Sequence, residues 1–231
     1  MQRLDKLLAA SDVASRSALK AIVRSGRVTV DGVVVKDPSR KVDETALLAV
    51  DGNPIEKKRR MVCMLYKPAG YVASTKDKDP TVMDLIPESL VKMDLAPVGR
   101  LDKDTEGLLL LTNDGVLAHK LIVPKSNVHK IYYVEHEKTA TEEDVKAFQE
   151  GIVLKDGTQC LPATLRPLAP GKSEVVLGEG KYHQVRRMMA SRGLSVTYLK
   201  RTQEGALTLG DLEKGQIREL RAEEEALLFH D

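Results

Sequence analysis

Apolar residues recur along this chain at two periods, and the change from one to the other marks out its elements. Leu4, Leu7 and Leu8 lie at helical spacing and predict a short first helix through about Ala10. Ser15 is placed to cap a second helix, whose Ala18, Leu19, Ile22 and Val23 form one apolar face and which Gly26 ends. The period then shortens: the valine-rich residues 28–30 and 33–35 flank Asp31-Gly32, a strong two-residue hairpin signal.

Further along, residues 61–66 read as an apolar strand ended by the turn Lys67-Pro68-Ala69-Gly70-Tyr71. Residues 108–111, four leucines in a row, predict a buried strand, and residues 116–122 a helix that stops at Pro124. Residues 131–134 alternate like a strand, while Thr141 caps a helix through about Glu150 with Val145 and Phe148 turned inward. A strand at 175–177, a helix over 184–192 stopped by Gly193, strands near 195–201, 207–209 and 217–220, and a short acidic helix complete the order. Strands with interspersed helices predict an α+β fold with a mainly antiparallel, mixed sheet behind a small helix-helix-hairpin module. Asp51-Gly52-Asn53-Pro54 and the basic run 57–60 read as a turn and charged linker, dividing the chain into 1–60 and 61–231.

Composition narrows the picture. The 231 residues contain no Trp and two Phe, so the cores must be aliphatic. No apolar run approaches the ~20 residues of a membrane helix and the N-terminus shows no signal-peptide pattern, so no membrane partner and a cytoplasmic location are expected. Cys63 and Cys160 read as two buried thiols, and the dispersed histidines indicate no metal. Net charge is only +2, yet residues 1–60 carry 13 Lys and Arg against 8 Asp and Glu, and the remainder 23 against 26. Arg3, Lys6, Arg16, Lys20, Arg24 and Arg27 thus give the first quarter a basic footprint suited to nucleic acid, although a solvated basic face fits charge alone as well.

The candidate chemistry lies in residues 99–115, where Gly99-Arg100-Leu101-Asp102-Lys103-Asp104-Thr105-Glu106-Gly107 precedes the leucine run and Thr112-Asn113-Asp114-Gly115 follows it. A carboxylate and a guanidinium stand beside a rigid buried element. By residue type alone Asp102 could be a turn residue paired with Lys103, or half of a paired-carboxylate hydrolase site with Asp104 or Glu106, and Arg100 could simply bridge to one of those acids. Neither Gly171-Lys172-Ser173 nor Gly178-Glu179-Gly180 completes a nucleotide-binding motif.

That stretch closely resembles the catalytic motif of pseudouridine synthases of the RsuA type, named for the small-subunit ribosomal RNA enzyme. Arg3-Leu4-Asp5-Lys6-Leu7-Leu8-Ala9, Ser15-Arg16 and residues 26–32 resemble the alpha-L RNA-binding module shared with a small-subunit ribosomal protein, with Ser11-Asp12 standing where that family often has Gly. Lys130-Ile131-Tyr132 resembles the family's Lys-x-Tyr motif, and Gly180-Lys181-Tyr182-His183-Gln184-Val185-Arg186 its Gly-basic-x-His-Gln-x-Arg motif.

The resemblance implies Asp102 as catalytic carboxylate, Tyr132 stacked on the target base, and Arg186 paired with Asp102. It further implies Arg100 extruding the nucleotide, Val185 touching the uracil, and Lys130 and Lys181 near the substrate, with Lys181 on a phosphate. The implied activity is isomerisation of uridine in ribosomal RNA, 16S rather than 23S, by a monomer that needs no cofactor and acts on free RNA or a ribosome-assembly intermediate. A non-catalytic rRNA-binding assembly factor is the rival reading. Family members often have Ile-Gly where this chain has Glu204-Gly205, a departure expected to alter the pocket rim.

Overall fold

In a computed structural model the chain divides into two compact units, Met1–Arg59 and Arg60–Asp231. Residues 1–8, 14, 16–43, 45–55, 59–123, 126 and 128–230 are described here, without the side chains of residues 16 and 17. The expectations placed on Ala9, Ala10, Ser11, Asp12, Ser15, Lys57, Lys58 and Pro124 fall outside them.

In the first unit, β1 (Gln2–Arg3) pairs with β4 (Lys41–Val42), and α1 (Leu4–Leu8) packs on α2 (Arg16–Arg24). Leu4, Leu7, Leu8, Leu19 and Val23 are buried, but Ala18, expected on the same face, is exposed. Its position one residue before Leu19 turns it away from the stripe that Leu19 and Val23 form four residues apart. Asp31 (φ 49°) and Gly32 (φ 80°) both take left-handed conformations and join β2 (Val28–Val30) to β3 (Val33–Val34). Asp51 and Gly52 do the same between β5 (Leu48–Val50) and β6 (Asn53–Pro54). The segment read as a linker turn is therefore a second hairpin inside this unit, because Asp-Gly with positive φ at both positions favours tight strand reversal.

The second unit is built on a nine-stranded sheet. Its path runs β11 (Thr164–Ala169), β12 (Lys172–Leu177), β10 (Lys130–His136), β13 (Val196–Glu204), β9 (Glu106–Thr112), β7 (Val62–Lys67), β15 (Ile217–Glu219), with β14 (Leu207–Thr208) beside β13 and β8 (Ala96–Pro97) beside β9. Among the described residues, every pairing of these strands is antiparallel except β9 with β13.

Two cores explain the four consecutive leucines. Cys63, Leu65, Leu109 and Leu111 join one cluster and Val62, Met64, Leu108 and Leu110 the other, so β7 and β9 are covered on both faces. Both cysteines are buried thiols. The helices are α3 (Glu88–Val91), α4 (Gly115–Ile122), α5 (Glu142–Glu150), α6 (Gln184–Ser191) and α7 (Ala222–Leu227). Asp114 caps α4 through the amides of Val116 and Leu117, and Thr141 with Asp144 forms a capping box on α5 that points Phe148 into the core. Arg60, read as part of the linker, is tied into this unit by Asp114 at 2.9 Å and Glu225 at 2.7 Å.

Among the described residues no helix is long and apolar enough to cross a membrane.

Candidate active site

One parallel contact sets the geometry of the site. Gly107 of β9 lies against Arg201 of β13, and a Cβ on Gly107 would stand 2.1 Å from the Arg201 carbonyl oxygen, at a φ of +112° that L residues rarely adopt. Only glycine permits the approach. It lets the buried Arg201 donate from Nε to the Leu108 carbonyl at 2.7 Å and places the loop before β9 over the ends of β10 and β13.

That loop is fastened from beneath by Lys67, a fully buried ammonium at the end of β7 that donates to the carbonyls of Thr105 at 2.8 Å, Pro68 at 3.0 Å and Lys103 at 3.2 Å. Burial pulls the Lys67 pKa down to about 8 against the opposing charges of Asp104, Asp102 and Glu106. The Thr105 amide closes the turn on the Asp102 carbonyl at 3.0 Å.

The loop, α6 and the ends of β10 and β13 enclose a cavity of about 620 Å³. Asp102, Arg100, Tyr132, Lys130, Lys181 and Val185 all line it; Arg186, on α6, is not part of the lining and stands 4.0 Å from Asp102. The structure thus brings together residues from three separated segments, 100–102, 130–132 and 181–186. Arg186 is shared differently from expectation: its Nη2 lies 2.9 Å from Asp104, while its Nε is 4.0 Å from Asp102. Asp104 lies in the same turn as Asp102 and takes the terminal nitrogen of the fork.

Lys103 does not pair with Asp102 but with Asp79 at 2.9 Å. Arg100 is exposed and makes no ion pair among the described residues, since Arg186 takes Asp104, and Lys214 at 2.9 Å and the Tyr198 hydroxyl at 2.8 Å take Glu106. Lys181, expected to be free for a phosphate, is bonded to the buried Glu179, a carboxylate that also accepts from Gln184 at 2.8 Å.

Tyr132 lies on the cavity floor with 8% of its surface exposed, and burial pushes its phenol pKa up, so the hydroxyl keeps its proton at neutral pH. Tyr133 faces the other side of β10 and donates to Glu135 at 2.8 Å. Beside Tyr132, Arg201 and Glu204 are 2% and 1% exposed and stand 3.4 Å apart, with Lys130 at 3.7 Å from Glu204. Glu204, expected to touch only the rim, is therefore a buried charge of the cavity, balancing two cations.

His183 was missed as a separate candidate. It lies at the start of α6 with its Nε2 3.4 Å from Asp102 Oδ1, nearer than Arg186.

In the first unit, Arg3 is bonded to Asp5 at 2.7 Å and Arg27 to Asp51, so two of the six expected basic positions are locally neutralised; Lys6, Lys20 and Arg24 are exposed.

Residues 61–191 match the family model of RNA pseudouridylate synthases and residues 2–48 that of the S4 domain. The chain belongs to the RNA pseudouridylate synthase family. It is 41% identical to an uncharacterized RNA pseudouridine synthase, YtzG, of Bacillus subtilis, covering 98% of both chains. To ribosomal small subunit pseudouridine synthase A of Escherichia coli it is 39% identical, covering 96% of this chain and 97% of the relative. A crystal structure of a pseudouridylate synthase superposes with a TM-score of 0.72 at 33% identity, covering 99% of this chain and all of the other.

Proposed function

We propose that this protein converts a uridine of small-subunit ribosomal RNA to pseudouridine, with Asp102 as the carboxylate that acts on the nucleotide. The observation that carries the reading is Asp102 itself: a carboxylate 24% exposed in the cavity wall, with the His183 ring at 3.4 Å, the Arg186 guanidinium at 4.0 Å and a buried tyrosine on the floor. The reaction breaks the bond between ribose C1′ and uracil N1, turns the base, and joins C1′ to C5; the proton leaves C5 and N1 gains one. Nothing is oxidised and no group is donated, so the balance closes without a co-reactant.

Each neighbour has a role in this scheme. Arg186 places positive charge beside the carboxylate while held by Asp104. Tyr132 offers a face to a base that must stay bound yet rotate, and its retained proton suits it to exchange with the base. Val185 packs on the uracil. Arg100, exposed at the rim and without an ion-pair partner among the described residues, takes the place of the extruded nucleotide, whose unstacking costs on the order of a few kcal/mol. Lys130 and Lys181, each beside a buried carboxylate, border the substrate and shape the cavity. The first unit holds the RNA through its basic residues, Lys6, Arg16, Lys20 and Arg24 among them. The enzyme is proposed to act in the cytoplasm as a single chain.

The test is single-turnover conversion of 16S and 23S transcripts and of an assembly intermediate by the wild type and Asp102→Asn, with pseudouridine mapped by chemical adducts and RNA affinity measured alongside. Conversion at one 16S site by the wild type, and none by a variant that folds and binds normally, is expected. Wild-type rates from Asp102→Asn would remove the carboxylate from the mechanism, and binding without conversion by any protein would favour an assembly factor.

A further inference from the structure

The scheme above leaves one ring in the cavity without a task. His183 has a left-handed backbone, φ 47°, which glycine would take without strain. The other non-glycine residues with positive φ among those described are aspartates, whose short side chains can bond their own turns, whereas His183 makes no side-chain bond to the helix it begins.

Its ring is nonetheless held on two sides. Tyr182, 75% exposed, stacks on it with centroids 3.8 Å apart and planes 19° from parallel, and Asp102 Oδ1 stands 3.4 Å from Nε2. Arg186, the cation expected on this carboxylate, is drawn to Asp104 and stands 4.0 Å from the other oxygen, Oδ2.

We propose that His183 is a positioning residue for Asp102: its Nε2–H donates to Oδ1 and fixes the carboxylate rotamer, and Tyr182 fixes the plane of the imidazole. One oxygen of Asp102 is then committed to the ring and the other faces Arg186 and the cleft. In an unloaded site such contacts are commonly long and tighten when substrate excludes water. The left-handed turn aims the ring back across the cavity from the first residue before α6.

This rests on Asp102 being the reacting carboxylate, so the wild type and Asp102→Asn belong in the same series. His183→Gly removes the ring and relaxes the backbone, His183→Gln restores an amide donor, and Tyr182→Ala frees the ring from an exposed position where folding is not at stake. Thermal midpoint, half-saturating rRNA concentration and maximal single-turnover rate are measured for each.

The expected result is a His183→Gly protein that melts no lower than wild type, needs similar RNA, and reacts slower by about ten-fold or more, the scale of a lost positioning contact. His183→Gln recovers part of that rate, and Tyr182→Ala falls between wild type and His183→Gly. Wild-type rates from His183→Gly, no recovery with Gln, or a loss confined to half-saturating RNA would each overturn the proposal, the last making the ring an RNA contact. An inactive wild type or an active Asp102→Asn would instead overturn the reading on which it rests. If His183→Gly fails to fold, the Gln and Tyr182→Ala rates decide, wild-type behaviour of Tyr182→Ala counting against the ring's fixation.

Discussion

At the scale of single residues, the unusual feature is that one guanidinium serves two carboxylates in one turn. Arg186 touches Asp104 at 2.9 Å and faces Asp102 at 4.0 Å, so replacing it changes both. Arg186→Leu is expected to reduce conversion at least about a hundred-fold and to cost roughly 1 kcal/mol of stability or less, since it leaves two acids together without their shared cation but Asp104 is largely exposed to solvent. Arg186→Lys restores a charge but not a fork, and a point charge spans the two acids poorly; its stability should recover more than its rate. Chemical denaturation and single-turnover kinetics on the same preparations check this, and a leucine variant with wild-type kinetics would show that the cation is dispensable. Asp102, Tyr132 and Arg186 were legible in the sequence through their resemblance to the family's motifs, since residue type alone left Asp102 equally a turn residue. The diversion of Arg186 to Asp104 was not, because it depends on the geometry of a turn that spacing does not specify. Nor was the approach of His183 to Asp102: the residue stands in the quoted motif, but its left-handed backbone and the direction of its ring are not written in residue order.

Among the elements, the legible ones are those whose burial pattern is local. Residues 108–111 announce a strand because both faces of β9 are covered, and Thr141 announces α5 because its capping box lies within four residues. What escaped was either short or nonlocal. Residues 72–98 fold into single turns and the two-residue β8, too brief for any period to develop. β11 contains Pro167, which reads against a strand and is tolerated because β11 is the sheet edge. The parallel pairing of β9 with β13 joins segments about ninety residues apart, and only Gly107 hints at it. Gly107→Ala should therefore act far beyond its size: its methyl meets the Arg201 carbonyl at 2.1 Å, so β9 and β13 must part or the protein must unfold. A loss of about 4 kcal/mol or more is expected, or no soluble folded protein, against a loss of about 1 kcal/mol for alanine at an ordinary exposed position of positive φ. Urea unfolding of Gly107→Ala beside Gly210→Ala, where φ is +55° and no atom lies within 4 Å of the added Cβ, separates steric contact from backbone strain. Equal losses in the two would deny the close approach its role.

For the whole molecule, the uneven charge seen in the sequence is real, but its effective size is smaller than the count of basic residues. Arg27 is bonded to Asp51 in the hairpin turn and Arg3 to Asp5, so each is already partly neutralised before RNA arrives, whereas Lys20 and Arg24 are exposed on α2. A cation that releases a condensed counterion from RNA contributes to the slope of log affinity against log salt; one held by its own carboxylate contributes less. In the full-length protein, Lys20→Ala and Arg24→Ala should each weaken rRNA binding and reduce that slope by about 0.7–0.9, the value of one phosphate contact. Arg27→Ala should change it much less, and Asp51→Asn, which leaves Arg27 free, should steepen the slope and tighten binding at low salt. Binding isotherms between low and moderate salt for these four variants decide the matter. An unchanged slope in both Lys20→Ala and Arg24→Ala would move the RNA off this face of the first unit, whereas an Arg27→Ala effect as large as theirs would show that the Asp51 pair opens on binding.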